Sequence, residues 1–124
     1  MKFGFTDTQW HLAVAEATHI LTQRATQRQT ISYSDLAREL RSITIGYHDY
    51  AMDGLLGDVS TSEFESGRPL LSVIVVRKYG EQDPGNGFFL LAQALGFDTS
   101  DRDSFWICEL NRTFDHWSQV HQVA

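Results

Sequence analysis

A glycine-rich loop is the first stretch of this sequence whose residue types could bind a ligand. The segment 83–87 (DPGNG) precedes a predicted helix, so free backbone N–H groups at the start of that helix could hold an anion. A phosphate loop also places a lysine or a hydroxyl just inside its helix, whereas two phenylalanines stand there in this chain. Glu81 and Asp83 would in addition repel an anion. We therefore interpret the loop as a structural turn, either a wing or a hinge.

A run of carboxylates is the second candidate, because residues 47–67 contain five acids and no lysine or arginine. Asp49 and Asp53 are four residues apart, which places both on one face of a helix, where they could bind a divalent cation. The H-E-x-x-H and EF-hand spacings are absent, so a solvated acidic surface is the favoured interpretation and no metal is expected. An acidic surface formed by Asp49, Asp53 and Asp58 would suit a basic protein partner.

The remaining reactive side chains give little support for catalysis. Cys108, the one cysteine, lies on the predicted inward face of the last helix beside Phe105, which indicates a buried and inert thiol. No order of serine, histidine and aspartate suggests a catalytic triad. We expect neither enzyme activity nor a cofactor.

Cations interspersed with tyrosines are the remaining candidates for binding. Several of them, gathered on one face of the fold, would form a modest basic patch able to contact nucleic-acid phosphates. The alternative is that these cations pair with Asp35, Glu39 and the acidic segment 47–67. The candidate residues for binding nucleic acid or another partner are Tyr33, Arg38, Arg41, Tyr47, Arg68, Arg77, Lys78 and Tyr79.

Hydrophobic spacing and capping residues predict the helices that position these side chains. Apolar residues at helical spacing, together with a capping box between Thr6 and Gln9, predict a first helix over residues 7–28. An edge strand at 31–33 follows. Further helices are expected at 35–43, capped by Ser34, and at 48–56, ending near Gly57. A short turn is expected from Ser60 to Phe64, and another helix at 88–95. The last helix is expected to begin at Ser100, with Phe105, Cys108, Phe114 and Trp117 facing inward.

One apolar run predicts a buried strand. Residues 70–77 contain the sequence LLSVIVV, which is rich in β-branched side chains and has a single polar residue. The order helix, short strand, two helices, strand and flexible loop is that of a winged helix. The predicted fold is therefore α+β, a small winged-helix-like domain over residues 1–124, mainly helical with a few short strands and a long C-terminal helix.

Residues 32–37 (SYSDLA) resemble the S-Y-G-D-L-A stretch of the alkylguanine-DNA alkyltransferase and alkyltransferase-like family. The resemblance implies a winged-helix domain of the kind that flips out and holds alkylated guanine. The active strand of that family opens with Pro-Cys-His-Arg, whereas residues 69–72 read PLLS, which excludes methyl transfer to a cysteine there. The stretch 47–58, which corresponds to the recognition helix, has three aspartates and no arginine finger.

Length and composition set the broad class of protein. The chain has 124 residues, of which 42% are hydrophobic and 21% charged, which is typical of one folded domain. One cysteine, no signal-peptide pattern and no long apolar run indicate the reducing cytoplasm and no membrane. The leading hypothesis is a regulatory, winged-helix-type module that contacts nucleic acid such as DNA. Because the net charge is −6, the alternative is a protein-interaction or immunity-type inhibitory module that uses the acidic 47–66 surface.

Overall fold

Our computed structural model describes the backbone of residues 1–123 and the side chains of residues 1–119. Five α-helices and one pair of short strands make up this part of the chain. The elements are α1 (Asp7–Thr26), β1 (Ile31–Ser32), α2 (Tyr33–Glu39), α3 (Tyr50–Glu65), a 3₁₀ helix (Leu71–Ile74), β2 (Val75–Val76), α4 (Asn86–Ala94) and α5 (Arg102–Val123). The strands are parallel, with Ile31 beside Val75. The prediction of a mainly helical fold with a few short strands is confirmed. None of the helices within residues 1–123 has the length and apolar character needed to cross a membrane.

Helix α1 begins as its sequence predicts. The Thr6 hydroxyl accepts a hydrogen bond from the Gln9 N–H at 3.1 Å, and the Thr6 N–H donates to the Gln9 side chain at 2.8 Å. One face of the helix is buried in the core, through Trp10, Ala13, Ala17, Leu21 and Ala25. This face packs against both α3 and α5, which makes α1 the central helix of the core.

Helix α2 begins earlier and ends earlier than predicted. Its cap is Ser32, whose hydroxyl accepts the Asp35 N–H at 3.1 Å, and not Ser34. The helix stops at Glu39, and an irregular segment then leads to α3. The predicted strand at 31–33 shortens to two residues because Tyr33 already belongs to the helix.

Helix α3 is one continuous helix, so the predicted end near Gly57 and the predicted separate turn after Ser60 are wrong. Glycine inside a helix costs about 1 kcal/mol relative to alanine, which burial of apolar side chains can outweigh. The buried side chains on this helix include Met52, Leu55, Leu56 and Val59. The Ser60 hydroxyl does not cap a helix; it contacts the Ser72 hydroxyl at 2.5 Å in the core.

The apolar run at 70–76 is buried as predicted, but the prediction of an extended strand is wrong for most of it. Residues Leu71–Ile74 form the 3₁₀ helix, and only Val75–Val76 pair with a neighbouring strand. The reason is that β1 offers only two residues for pairing. The backbone of the first half of the run must therefore find hydrogen-bond partners elsewhere.

Side chains from α3 and α5 supply those partners. The Leu70 N–H donates to the buried Glu109 carboxylate at 2.8 Å, and the Ser72 N–H donates to the Ser60 hydroxyl at 3.0 Å. The Trp106 indole N–H donates to the Val73 carbonyl at 3.1 Å. These contacts satisfy buried backbone groups without a strand, which allows the compact 3₁₀ conformation.

Helix α5 turns three of its four predicted inward positions toward the core, namely Phe105, Phe114 and Trp117. Phe114 is buried, Phe105 and Trp117 are half-buried, and Cys108 is exposed, so the prediction of a buried thiol is wrong. Position 109 faces the core in place of Cys108 because the Glu109 carboxylate accepts the Leu70 N–H there.

Candidate functional site

A broad groove lies between the start of α2, the start of α3, the loop after β2 and the first turns of α4. Its volume is about 1010 Å³, at the upper end of the roughly 300–1,000 Å³ that ligand pockets occupy. The groove takes in all four tyrosines of the chain, Tyr33, Tyr47, Tyr50 and Tyr79. Three cations, Arg38, Arg77 and Lys78, lie along the same groove.

Most of the candidate binding residues predicted from the sequence meet in this groove. Six of the eight line it, namely Tyr33, Arg38, Tyr47, Arg77, Lys78 and Tyr79. Arg68 lies elsewhere, because its guanidinium donates to the buried Glu63 carboxylate at 2.7 and 3.1 Å. Arg41 also lies outside the groove, with an exposed side chain and a backbone N–H that donates to Glu16 at 3.0 Å. The basic patch is therefore smaller than the sequence suggested.

The predicted acidic surface is divided between two places. Asp49 and Asp53 line the groove, and Asp49 is also the N-cap residue of α3, with a carboxylate that accepts the Gly46 N–H at 2.8 Å. Asp58 lies near the N-terminus, where its carboxylate accepts from Lys2 at 2.8 Å and from the Trp10 indole at 2.7 Å. Two of these three carboxylates therefore serve contacts within the fold.

Two neighbouring carboxylates partly neutralise the groove cations. Arg77 pairs with Asp83, whose hydrogen bond and negative charge raise the pKa of the Arg77 guanidinium. Arg38 pairs with Asp35, and the Lys78 ammonium lies 3.9 Å from the same carboxylate. The Arg38, Arg77 and Lys78 side chains nevertheless remain 71%, 53% and 45% exposed, so each can reach a ligand. Exposed pairs of this kind contribute little to stability because solvent screens them, and they are readily exchanged for other partners.

The floor of the groove is formed by Tyr33, which is half-buried. Its hydroxyl accepts the Gly85 N–H at 2.9 Å and so connects α2 to the residue that precedes α4. Burial raises the pKa of the Tyr33 phenol, because the charged form would lose hydration. The ring is therefore a neutral surface at physiological pH.

Asp53 lies beside the floor of the groove, against the first turn of α4. A Cβ atom added at Gly87 would stand 3.0 Å from an Asp53 carboxylate oxygen, so the glycine leaves room for the carboxylate. Partial desolvation raises the pKa of Asp53 above its ordinary value of 3.8. Glycine at position 87 thus serves the side chain of Asp53 rather than the phosphate loop considered from the sequence.

Sequence reasoning missed several exposed groove residues, among them Tyr50 and Leu90. Tyr50, which is 86% exposed at the first position of α3, completes the set of tyrosines, and Leu90 on α4 adds an exposed apolar edge. The spacing of Tyr47 and Tyr50 around a predicted helix start was a usable signal for the first. The sequence did not distinguish Leu90 as an exposed residue, because it stands among apolar residues of α4 that are mostly buried.

Among the described side chains of residues 1–119, no group of three or more histidine, cysteine, aspartate or glutamate side chains that could hold a metal ion occurs. Cys108 is exposed on α5 and does not line the groove. The groove offers flat aromatic surfaces, positive charge and hydrogen-bond acceptors in one place.

Comparisons of the chain with models of protein families, with curated proteins and with solved structures found no significant match. The resemblance of residues 32–37 to the alkyltransferase family therefore stays a prediction. We argue function from the geometry of the groove.

Proposed function

We propose that this protein is a non-catalytic binding module that contacts single-stranded nucleic acid through the groove. The observation that carries the proposal is the meeting of all four tyrosines with three exposed cations in one concave surface. Proteins that bind single strands combine aromatic rings, on which bases stack, with cations that contact the phosphates. The groove contains both kinds of group in a volume that suits a few nucleotides.

The exposure of the tyrosine rings favours unpaired bases over a duplex. Tyr50 and Tyr79 are 86% and 83% exposed, so their rings are accessible for stacking. Tyr47 is 56% exposed and already contacts the His48 ring, with the two ring centroids 4.8 Å apart. Bases in a duplex already stack on each other, and single strands present the free faces that aromatic side chains recognise.

The charge of the groove supports the same choice. Three cations and the two aspartates that line it give a formal charge of +1 with histidine neutral, and the adjoining Asp35 and Asp83 bring the local charge to −1. Binding to duplex DNA depends strongly on the number of phosphates neutralised, and this balance of charge provides little of that attraction. Stacking, which contributes about 1–3 kcal/mol per base, can supply affinity where the charge is small.

The winged-helix hypothesis fits this proposal in part. Helices α2 and α3 come before β2, and the loop at 77–85 follows it where a wing would stand. The strands, however, are parallel, and within residues 1–123 the loop leads into α4 rather than into a returning strand. We keep the winged-helix-like arrangement, a regulatory role and a cytoplasmic location as hypotheses that accompany the proposal.

The alternative partner, a basic protein bound by the acidic 47–66 surface, has less support from the geometry. Asp58 and Glu63 accept hydrogen bonds from Trp10 and Arg68 within the fold, which leaves them few free acceptor positions. Asp49 and Asp53 are too few to form an acidic surface of their own beside three cations.

Fluorescence anisotropy with a short labelled strand of mixed sequence tests the proposal. We expect binding of the single strand at low salt and clearly weaker binding of the matching duplex. Tyr79→Ala should weaken single-strand binding by roughly tenfold, which corresponds to the loss of one stacked base. Phe64→Ala is the control, because Phe64 is an exposed aromatic residue that does not line the groove. Absence of single-strand binding at low salt would overturn the proposal.

A further inference from the structure

A small recess opens from the floor of the groove, between α3, the 3₁₀ helix and the first turn of α4. It has space for about 20 Å³, and one water molecule requires roughly 10–15 Å³ on this measure. Its polar lining comes from Tyr33, Asp53 and Ser72, and its walls include Leu56 and Phe88. The recess is thus too small for a base but suits a single water-sized polar group.

Two of the three polar side chains in the recess already have partners. The Tyr33 hydroxyl accepts from Gly85 at 2.9 Å, and the Ser72 hydroxyl contacts Ser60 at 2.5 Å. The Asp53 carboxylate has no hydrogen-bond partner among the described residues. An ionised carboxylate is an acceptor only, so the free capacity at Asp53 is for a hydrogen-bond donor, while the Tyr33 hydroxyl keeps its own hydrogen to donate.

Building on the proposed function, we propose that Asp53 selects bases with an exocyclic amino group, such as cytosine and adenine, by accepting a hydrogen bond from that amino group at the mouth of the recess. An amino group matches a water molecule in size and donates hydrogen bonds. Carboxylates accept from the cytosine amino group in known modes of base recognition. Uracil and thymine carry a carbonyl oxygen at the ring position where cytosine carries its amino group. This oxygen and the Asp53 carboxylate are both acceptors, so they cannot form a hydrogen bond with each other.

The surroundings of Asp53 strengthen this assignment. Gly87 leaves space beside the carboxylate, since a Cβ atom there would stand 3.0 Å from the nearest oxygen. The Asp53 side chain is exposed, so its carboxylate is accessible from the groove, and partial desolvation raises its pKa. A hydrogen bond to an ionised carboxylate is stronger than one between neutral groups.

Oligodeoxycytidine and oligodeoxyuridine of equal length are the matched ligands for the test, because the bases differ at the amino or carbonyl position. We expect the wild-type protein to bind the cytosine strand about tenfold more tightly at neutral pH and constant salt. Asp53→Asn should bring the two affinities close together, because an amide both donates and accepts. Gly87→Ala should reduce the preference too, because its methyl group displaces the carboxylate.

Asp49→Asn is the matched control, since it makes the same charge change in the same groove and the asparagine side-chain oxygen can still accept the Gly46 N–H. It should keep the preference for cytosine. Equal binding of both strands by the wild type would overturn the role of Asp53 and leave the proposed function standing. A preference for the cytosine strand that survives in Asp53→Asn would also overturn the role of Asp53 and leave the proposed function standing. Failure of both strands to bind would overturn the proposed function, and the inference with it.

Discussion

Removing the charge of Lys78 should reduce the salt dependence of single-strand binding by an amount that follows from the groove. The Lys78 ammonium lies 3.9 Å from Asp35 in an exposed pair, so Lys78→Gln should leave the fold unchanged. Each phosphate contacted by a cation contributes about −0.7 to the slope of log K against log salt concentration for single strands. If Arg38, Arg77 and Lys78 each contact one phosphate, the slope is about −2.1 for the wild type and about −1.4 for the variant.

These slopes give a measurable difference. Between 50 and 200 mM salt the affinity of the wild type should fall about 18-fold, and that of Lys78→Gln about sevenfold, since the concentration changes fourfold. Anisotropy titrations at four salt concentrations would determine both slopes. Stacking on the tyrosines adds affinity that depends little on salt, so it shifts both lines without changing their slopes.

Arg41→Gln provides the control for this measurement. Arg41 is an exposed cation outside the groove, and its removal changes the net charge of the protein by the same amount. Its slope should stay at the wild-type value. An unchanged slope in Lys78→Gln would refute phosphate contact by Lys78. An equal decrease in both variants would leave only a general effect of net charge.

Three further predictions concern the fold that supports the groove. Glu109→Leu should lower the free energy of unfolding by roughly 1–3 kcal/mol in urea denaturation, because the buried Leu70 N–H loses its acceptor; an unchanged midpoint would contradict this. Desolvation raises the pKa of Glu16, but hydrogen bonds from Ser42 and Arg41 outweigh it and lower the pKa below 4.5. Glu16→Gln should therefore reduce the melting temperature at neutral pH, with the difference disappearing as the pH falls below 4.5; a constant difference would contradict the assignment. Cys108 should react with Ellman's reagent in the native protein, and a requirement for urea would show that it is buried.

Local signals in the sequence predicted the helices well where the stabilising contacts are themselves local. The capping box of Thr6 and Gln9 and the apolar stripe of α1 involve residues within a few positions of each other. The end of α3 was predicted too early because glycine and serine residues locally disfavour the continuation of a helix. Contacts distant in sequence outweigh that preference, as the bond between Ser60 and Ser72 shows.

The conformation of residues 70–76 depends entirely on distant partners. β-branched side chains predict a strand, but a strand needs a neighbour, and β1 supplies only two residues. The carboxylate of Glu109, 39 positions away, takes the Leu70 N–H instead. A glutamate in a predicted helix is ordinarily assigned to the solvent face, so the same contact also explains why Cys108 was wrongly placed in the core.

The groove was partly predictable because much of it comes from two short stretches of sequence. Arg77, Lys78 and Tyr79 are consecutive, and Tyr33 and Arg38 belong to one short helix. Their meeting follows from the pairing of β1 with β2, which brings the ends of both stretches together. The exclusion of Arg68 and Asp58 depends on ion pairs and hydrogen bonds that composition and spacing do not specify.

Part of each of the two binding surfaces predicted from the sequence lies in one groove, where Arg38, Arg77 and Lys78 stand beside Asp49 and Asp53. A purely basic groove would attract any nucleic acid, whereas under the proposed role Asp53 would penalise a ligand that presents no donor to it. The loop that carries Arg77 is also held at both ends, by β2 and by the bond between Gly85 and Tyr33. The loop backbone is thus positioned relative to Tyr33 before a ligand arrives, so binding need not order it and retains more of the contact energy as affinity.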